Sequence, residues 1–240
     1  MKKTVSVLLY SLLAVSIVFP AGFLAAMHYG YLFKLASVPV QGALSVALSA
    51  SVLAISLARG ERAKSGALCS LPSILTPLSL INVILCADAG SVAGVVLFLI
   101  SAACLCFMAI KYVRPLALKI APLAVAAFLC MPVFFSCFIL AAGDFVQNTV
   151  VQTISSTEET YYAEVIDNDQ GALGGSTRVI VRKHKPIVVN AIVFTVEREP
   201  KSIYAGGWGA YNNMTIYWKN DSCLVVDSVE YNIDEWFGGI

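Results

Sequence analysis

Apolar positions run almost without interruption through the first part of this chain and then give way to alternation. Five continuous apolar stretches lie near residues 4–27, 37–58, 67–87, 91–112 and 116–142, with short polar or basic segments between them. A hydrocarbon core about 30 Å thick takes roughly 20 residues of helix, because backbone amides there must be paired internally. Each stretch meets that length. Asp88-Ala89-Gly90 makes the short turn between the third and the fourth.

After residue 142 the pattern changes. Gln147–Glu159 is polar and rich in Thr and Ser, and reads as a linker over 143–159. Beyond it Tyr161, Ala163 and Val165 share one face of a strand, and Val179 and Val181 repeat the pattern. Residues 187–196 are dense in β-branched side chains. Met214, Ile216 and Trp218 alternate with Thr215 and Tyr217; Lys219 to Ser222 then turns the chain into Cys223–Val226, with a last strand near 229–233. No convincing amphipathic helix occurs here. The expected architecture is a membrane protein, a five-helix transmembrane bundle (1–142) followed by a small antiparallel β domain (160–240) of five or six strands.

Charge orients this layout. Residues 1–142 hold nine Lys and Arg against two acidic residues, whereas 143–240 hold seven against thirteen. Basic loops stay cytoplasmic because they resist translocation. Lys2 and Lys3 precede the first span, Arg59, Arg62 and Lys64 join the second to the third, and Lys111, Arg114 and Lys119 flank the last crossing. The opposite loops carry only Lys34 and Asp88. The amino terminus is therefore expected in the cytoplasm and the β domain on the far side, with Tyr29, Tyr31 and Phe33 in an interfacial aromatic belt. Met-Lys-Lys before an apolar run also fits a cleaved signal peptide, but the run is long for one, and retention is expected. Cleavage would leave the same orientation. An acidic exported half argues against nucleic-acid partners, which need a basic surface.

Ionisable groups at mid-depth mark ion and proton paths. Lys119, Asp88, His28 and Asp144 all fall near span ends, which disfavours a pump acting alone. The polar residues within spans are Gln41, Thr76, Ser79 and Asn82, the last three on a segment containing Pro72 and Pro77. They could line a cavity; interhelical hydrogen bonding is the favoured role. Ala43, Ala47 and Ser51, at four-residue spacing, and Gly90 and Gly94 offer close-packing faces for self-association or a membrane partner subunit. Six of the seven cysteines lie in or beside spans and read as small apolar packing. Cys223 alone lies in the exported half, which excludes an internal disulfide there and points to a bacterial surface.

Two features of the β domain carry candidate chemistry. Asp167-Asn168-Asp169-Gln170-Gly171 spaces two carboxylates and a glycine as some calcium loops do, so Asp167 and Asp169 are weak metal candidates; the twelfth position is Arg178 where a Glu would be needed, and a hairpin turn is favoured, with Gly174 and Gly175 supplying positive φ. Tyr204, Trp208, Tyr211 and Trp218 concentrate aromatic surface around Gly206-Gly207-Trp208-Gly209, the sort of surface that binds peptides or sugars. Trp218 also reads as core. His184 sits in a basic run and is better explained by solvation than by catalysis. No metalloprotease, P-loop, hydrolase-elbow or dinucleotide motif occurs, so neither catalytic residues nor a cofactor are expected.

Ser155-Ser156, Tyr161-Tyr162, Gly171-Ala172, Ser202-Ile203-Tyr204 and Trp218-Lys219-Asn220-Asp221 are short motifs spread over residues 154–233. In these the chain resembles an uncharacterised Gram-positive family of small membrane-anchored or lipoprotein-like extracytoplasmic domains, a domain of unknown function. It departs from that family in lacking a Pro-Asn-Gly or Pro-Asp-Gly turn near Thr157–Glu159 and in carrying four further spans. The resemblance implies a domain boundary and no activity. The expected function is non-catalytic binding of a peptide, protein or cell-envelope component by the extracytoplasmic β domain. The alternatives are an accessory membrane subunit of a transporter or export complex, and an envelope hydrolase using Glu164, Asp167 and Asp169.

Overall fold

The computed structural model describes residues 2–59, 67–113, 116–141, 147–171, 174–185, 189–191 and 194–237. Arg62, Lys64, Arg114, Asp144, Ala172 and parts of the 187–196 stretch fall outside them. The chain divides into two compact units. One comprises residues 1–28, 33–141 and 191–194, the other 29–32, 142–190 and 195–240.

The first unit is built from five long helices: α1 (Lys2–His28), α2 (Val38–Arg59), α3 (Leu71–Asp88), α4 (Val92–Tyr112) and α5 (Leu116–Ala141). All five are long and apolar enough to cross a membrane. The aromatic segment after α1 forms a short strand, β1 (Tyr31–Leu35), a conformation its aromatic residues favour.

Packing centres on α3, which contacts α1, α4 and α5, while α2 packs on α1 and α4. One core gathers Leu9, Leu12, Val52, Leu75, Leu105 and Met108; a second gathers Phe19, Val83, Phe98 and Ala126. The α3–α4 turn closes through Gly90 at φ 69°, where Ser91 N–H donates to the Cys86 carbonyl at 2.8 Å and Gly90 N–H to Ala87 at 3.0 Å. That pair of bonds satisfies two carbonyls at the end of α3, and the left-handed backbone is why a glycine stands there. Ser91 then caps α4, its Oγ accepting from Gly94 N–H at 3.2 Å.

The small-residue face of α2 differs from the expectation. Gly42, Ser45, Ser49, Val52 and Ser56 are buried, whereas Ala43, Ala47 and Ser51 are exposed. A Cβ on Gly42 would lie 2.9 Å from Leu97 Cβ, so α2 and α4 approach closely at a glycine one position from the predicted stripe. Both stripes have near-helical spacing, and only the neighbouring helix distinguishes them.

The second unit holds two antiparallel sheets and a short hairpin. The larger sheet has the order β2-β3-β4-β7, with β2 Gln147–Ser155, β3 Tyr161–Asp169, β4 Gly175–Lys183 and β7 Lys201–Gly207. The smaller is a meander of β8 (Ile216–Asn220), β9 (Cys223–Val226) and β10 (Val229–Asn232). Between them β5 (Val189–Asn190) pairs with β6 (Phe194–Arg198). The Thr- and Ser-rich segment read as a linker is thus an edge strand: Gln147 to Ser155 pairs with Asp169 to Tyr162, with a bulge between Val150 and Gln152. Nearly every β2 side chain is exposed, so its composition resembles a linker although its backbone is paired. A five-residue helix, α6 (Ile233–Phe237), occupies part of the predicted last strand.

The inner faces of the sheets and α6 form one core of Tyr161, Ala163, Val165, Val179, Leu224 and Ile233, with their neighbours Val181, Val226 and Phe237. The predicted alternation in β3 and β4 places these side chains inward. The β9–β10 turn uses Asp227 at φ 48° and Ser228 at φ 69°, the two left-handed residues of a primed hairpin turn.

Candidate functional site

The register of the larger sheet brings both candidate clusters to one face. Asp169 pairs with Gly175 and Asp167 with Thr177, while Val179 pairs with Tyr204. Cross-strand partners share a face, and residues two apart along a strand do too. Asp167, Asp169, Gly175, Thr177 and Tyr204 therefore lie on the side that carries Val165 and Ala163 into the core. Trp208 joins them. A Cβ on Gly175 would meet its indole Cδ1 at 2.6 Å, so the ring is seated directly on that glycine.

Tyr211 belongs to a single 3-10 turn, Ala210–Asn212, whose backbone is held to the sheet where Tyr211 N–H donates to Thr177 Oγ1 at 3.4 Å. Gly209 enters this turn at φ 72°. Tyr204 folds back over Gly206, and its hydroxyl donates to Asp227 Oδ2 at 3.2 Å; burial and this carboxylate push its phenol pKa up. The three aromatics thus differ in availability. Tyr204 and Tyr211 are half-buried, whereas Trp208 is 60% exposed.

Gly174 and Gly175 were expected to share one backbone role, and the structure separates them. Gly174 has φ 95°, but Gly175 is not among the positive-φ residues; what it provides is the space occupied by Trp208. Nor does the acidic segment form the turn itself. Asp167 to Asp169 end β3, and beyond it Gln170 N–H donates to the Gly174 carbonyl at 2.8 Å.

Asp169 Oδ1 accepts from Gly171 N–H at 2.8 Å. Asp167 Oδ1 is buried and has no hydrogen-bond partner among the described residues, an uncompensated acceptor on the face beneath Trp208. Among the described residues no group of three His, Cys, Asp or Glu side chains is placed to hold a metal ion. Glu164 faces away from Asp167, because an odd separation along a strand reverses the face, and its Oε2 accepts from Arg182 Nε at 2.8 Å. The three acidic groups considered for hydrolysis do not converge.

Trp218 is committed elsewhere. Its Nε1 donates to the Ile154 carbonyl on edge strand β2 at 3.0 Å, and its ring stacks on Tyr161 with centroids 6.4 Å apart. Three residues on, Asp221 Oδ1 accepts from Glu158 N–H at 2.9 Å, and bonds from Ser156 and Thr160 hold its carboxyl below the usual carboxylate range. The Trp218-Lys219-Asn220-Asp221 motif therefore clamps the β8–β9 turn onto the β2–β3 turn. Glu159 stands in that second turn at φ 55°, at the place where the sequence lacks a glycine-bearing turn motif.

The polar residues of the helical unit tie helices together. Gln41 Nε2 on α2 donates to the Val15 carbonyl of α1 at 2.6 Å, Ser79 Oγ on α3 to Phe98 of α4 at 3.0 Å, and Asn82 Nδ2 on α3 to Ser16 of α1 at 2.9 Å. Thr76 Oγ1 returns to Pro72 within its own helix at 2.8 Å. Gln41 and Thr76 line two different grooves.

Gly175 and Thr177 form the platform beneath Trp208 and Tyr211; the sequence pointed to Gly175 only as a turn residue and did not single out Thr177. Their contribution depends on strand register, and the tandem Gly174-Gly175 was the available signal. The features assembled here define a class: a chain of five long apolar helices with antiparallel sheets in its carboxyl-terminal part, one sheet face presenting an exposed indole. Comparison with protein-family models, curated proteins and solved structures returns no match.

Proposed function

We propose that this is a multi-pass membrane protein whose carboxyl-terminal β unit lies outside the cytoplasm and binds a peptide, protein or cell-envelope component without catalysis. The observation that carries the binding role is the Trp208 indole, exposed yet seated on Gly175, beside the Thr177-anchored Tyr211 turn. An aromatic held in place loses little entropy when a ligand covers it. The buried, unpartnered Asp167 Oδ1 on the same face favours a ligand that brings an N–H or O–H donor.

The experiment uses the detergent-solubilised full chain and a panel of peptides and solubilised envelope fragments, read by calorimetry. Saturable binding that is lost in Trp208→Ala, with the unfolding midpoint retained, supports the reading. Equal affinity in the variant overturns the assignment to this face. The orientation rests on the basic residues at the start of α1 and around the even-to-odd connections, α2 to α3 and α4 to α5. Protease added to intact cells should cleave the chain after Lys201 or Lys219, and cleavage confined to inverted vesicles refutes it.

A second reading, an accessory subunit of a transporter or export complex, is favoured by α5. Phe128, Met131, Phe134 and Phe138 are each at least 60% exposed along this helix. A groove of about 450 Å³ among α3, α4 and α5 is lined in part by the small residues Ala102, Ala103, Ala126 and Ala127. Such a face suits a partner helix. Stoichiometric copurification with a permease or ATPase, abolished by Ala126→Leu, would establish it.

A further inference from the structure

We infer that the β unit carries a second, separate site, a cationic cavity that binds a phosphoryl group. It lies where β4 ends and β6 runs into β7. Gly175 and Lys183 are opposite ends of the same nine-residue strand, so about 26 Å of extended chain separates this cavity from the Trp208 platform. The two sites can be tested independently.

The cavity has a volume of about 160 Å³. At roughly 30 Å³ per water molecule, that holds about five waters, enough for a phosphoryl group, and its mouth opens to solvent. Arg182, Lys183, His184 and Arg198 all contribute to its lining, Arg182 and Lys183 from opposite faces of the end of β4. Tyr162 adds a phenol, and Phe237 and Pro200 supply apolar wall. Glu197 lies in the same lining and is itself partnered, and Glu164 is paired with Arg182, so the described side chains leave one net positive charge there.

The cations are held in place before any ligand arrives. Arg198 lies over the Tyr31 and Phe237 rings, 5.3 and 5.9 Å from their centroids, and its terminal nitrogens donate to the Tyr31 hydroxyl and to the Trp236 and Phe237 carbonyls. Arg182 uses Nε for Glu164, which fixes the plane of the guanidinium while its two terminal nitrogens have no partner among the described residues. Lys183 sits over the Tyr161 ring with Nζ 5.9 Å from the centroid. His184 N–H donates to the Thr160 carbonyl at 2.9 Å, and its ring meets Tyr162 edge-on.

A guanidinium fork with two open donors matches two oxygens of one anion, and a tetrahedral phosphoryl group presents further oxygens to the neighbouring donors, which a carboxylate lacks. Backbone and aromatic contacts have already met the ordering cost of Arg198. The chemistry recognised is thus a phosphate monoanion or dianion, whether free or at the head of a lipid or polymer.

The test is a titration of the solubilised full chain with inorganic phosphate and, separately, with acetate at constant ionic strength, followed by calorimetry. Saturable phosphate binding, at least fivefold weaker in Arg182→Gln and in Lys183→Gln and at least tenfold tighter than acetate, is expected. A second measurement needs no variant: phosphate should slow acetylation of Lys183 in the native chain while Lys201 and Lys219 react at unchanged rates. Repeating the titration in phosphatidylglycerol nanodiscs separates the sources. Loss of phosphate binding there identifies a lipid headgroup as occupant, and its persistence identifies a free or polymer-borne phosphate; both support the site. No saturable binding, acetate binding of equal strength, or unchanged Lys183 reactivity overturns it.

Discussion

Asn82, at the centre of α3, donates its side-chain amide to the backbone carbonyl of Ser16 on α1 at 2.9 Å, joining residues 66 positions apart. The same nitrogen serves Leu78 at 3.0 Å, and Asn82 is fully buried. Asn82→Ala should destabilise the helical unit by about 1 kcal/mol, within the range for interhelical hydrogen bonds in apolar surroundings. Reversible unfolding in mixed detergent micelles measures this. An unchanged midpoint would mean that the bond contributes nothing net.

Gly175 supports Trp208 through the absence of a side chain. A Cβ there would lie 2.6 Å from the Asn168 carbonyl oxygen as well as from the indole, and the backbone oxygen cannot swing away. Gly175→Ala should cost about 1–3 kcal/mol as an overpacking change. It should also shift the Trp208 indole resonance while leaving that of Trp218 in place. Shifts at both, or at neither, would contradict the platform.

Glu159 adopts φ 55° in the β2–β3 turn, a region costly for a residue with a side chain. Glu159→Gly should raise stability by about 0.5–1 kcal/mol, the relief of the left-handed strain outweighing the added freedom of the unfolded chain. Thermal unfolding reads it directly; a lower midpoint would show that the Glu159 side chain matters more than its backbone.

Asp221 predicts acid sensitivity. Bonds from Ser156 and Thr160, and from the Glu158 backbone, hold its carboxyl below the usual range in the folded chain. The unfolded chain therefore takes up the proton first as the pH drops. The stabilisation is complete above the ordinary carboxylate value, near pH 4, and is lost as the pH falls below it. Asp221→Asn should flatten the acid limb of the stability curve relative to the native chain.

Tyr161 predicts the opposite limb. Burial, and the Asp234 carboxylate to which its hydroxyl donates at 3.0 Å, push its phenol up to about 12. An unfolded tyrosine ionises near pH 10. Stability contributed by the neutral phenol is full below pH 10 and declines as the pH rises from there towards 12. Tyr161→Phe should remove this decline, and absorbance at alkaline pH should show one phenol titrating late.

Five helices, their approximate limits and the contrast in charge between the two parts of the chain were legible in the sequence, because each depends on composition summed over a whole segment. The alternation of Tyr161, Ala163 and Val165, and of Val179 and Val181, likewise determined which side of β3 and β4 turns inward, since strand period is a local property. Tertiary structure decided what local pattern leaves open. Ala43, Ala47 and Ser51 have the same spacing as any buried stripe, and only the approach of α4 selected Gly42, Ser45 and Ser49 in their place. Gln147–Ser155 has the composition of a linker and became a strand because β3 offered an unpaired edge, whose hydrogen bonds outweigh weak local preference. Trp208 and Asp167 are 41 positions apart in sequence, and the register of β3, β4 and β7 set them on one face. Arg198 met Tyr31 across 167 positions for the same reason: a contact between distant segments is a property of the packed chain, which no local period encodes.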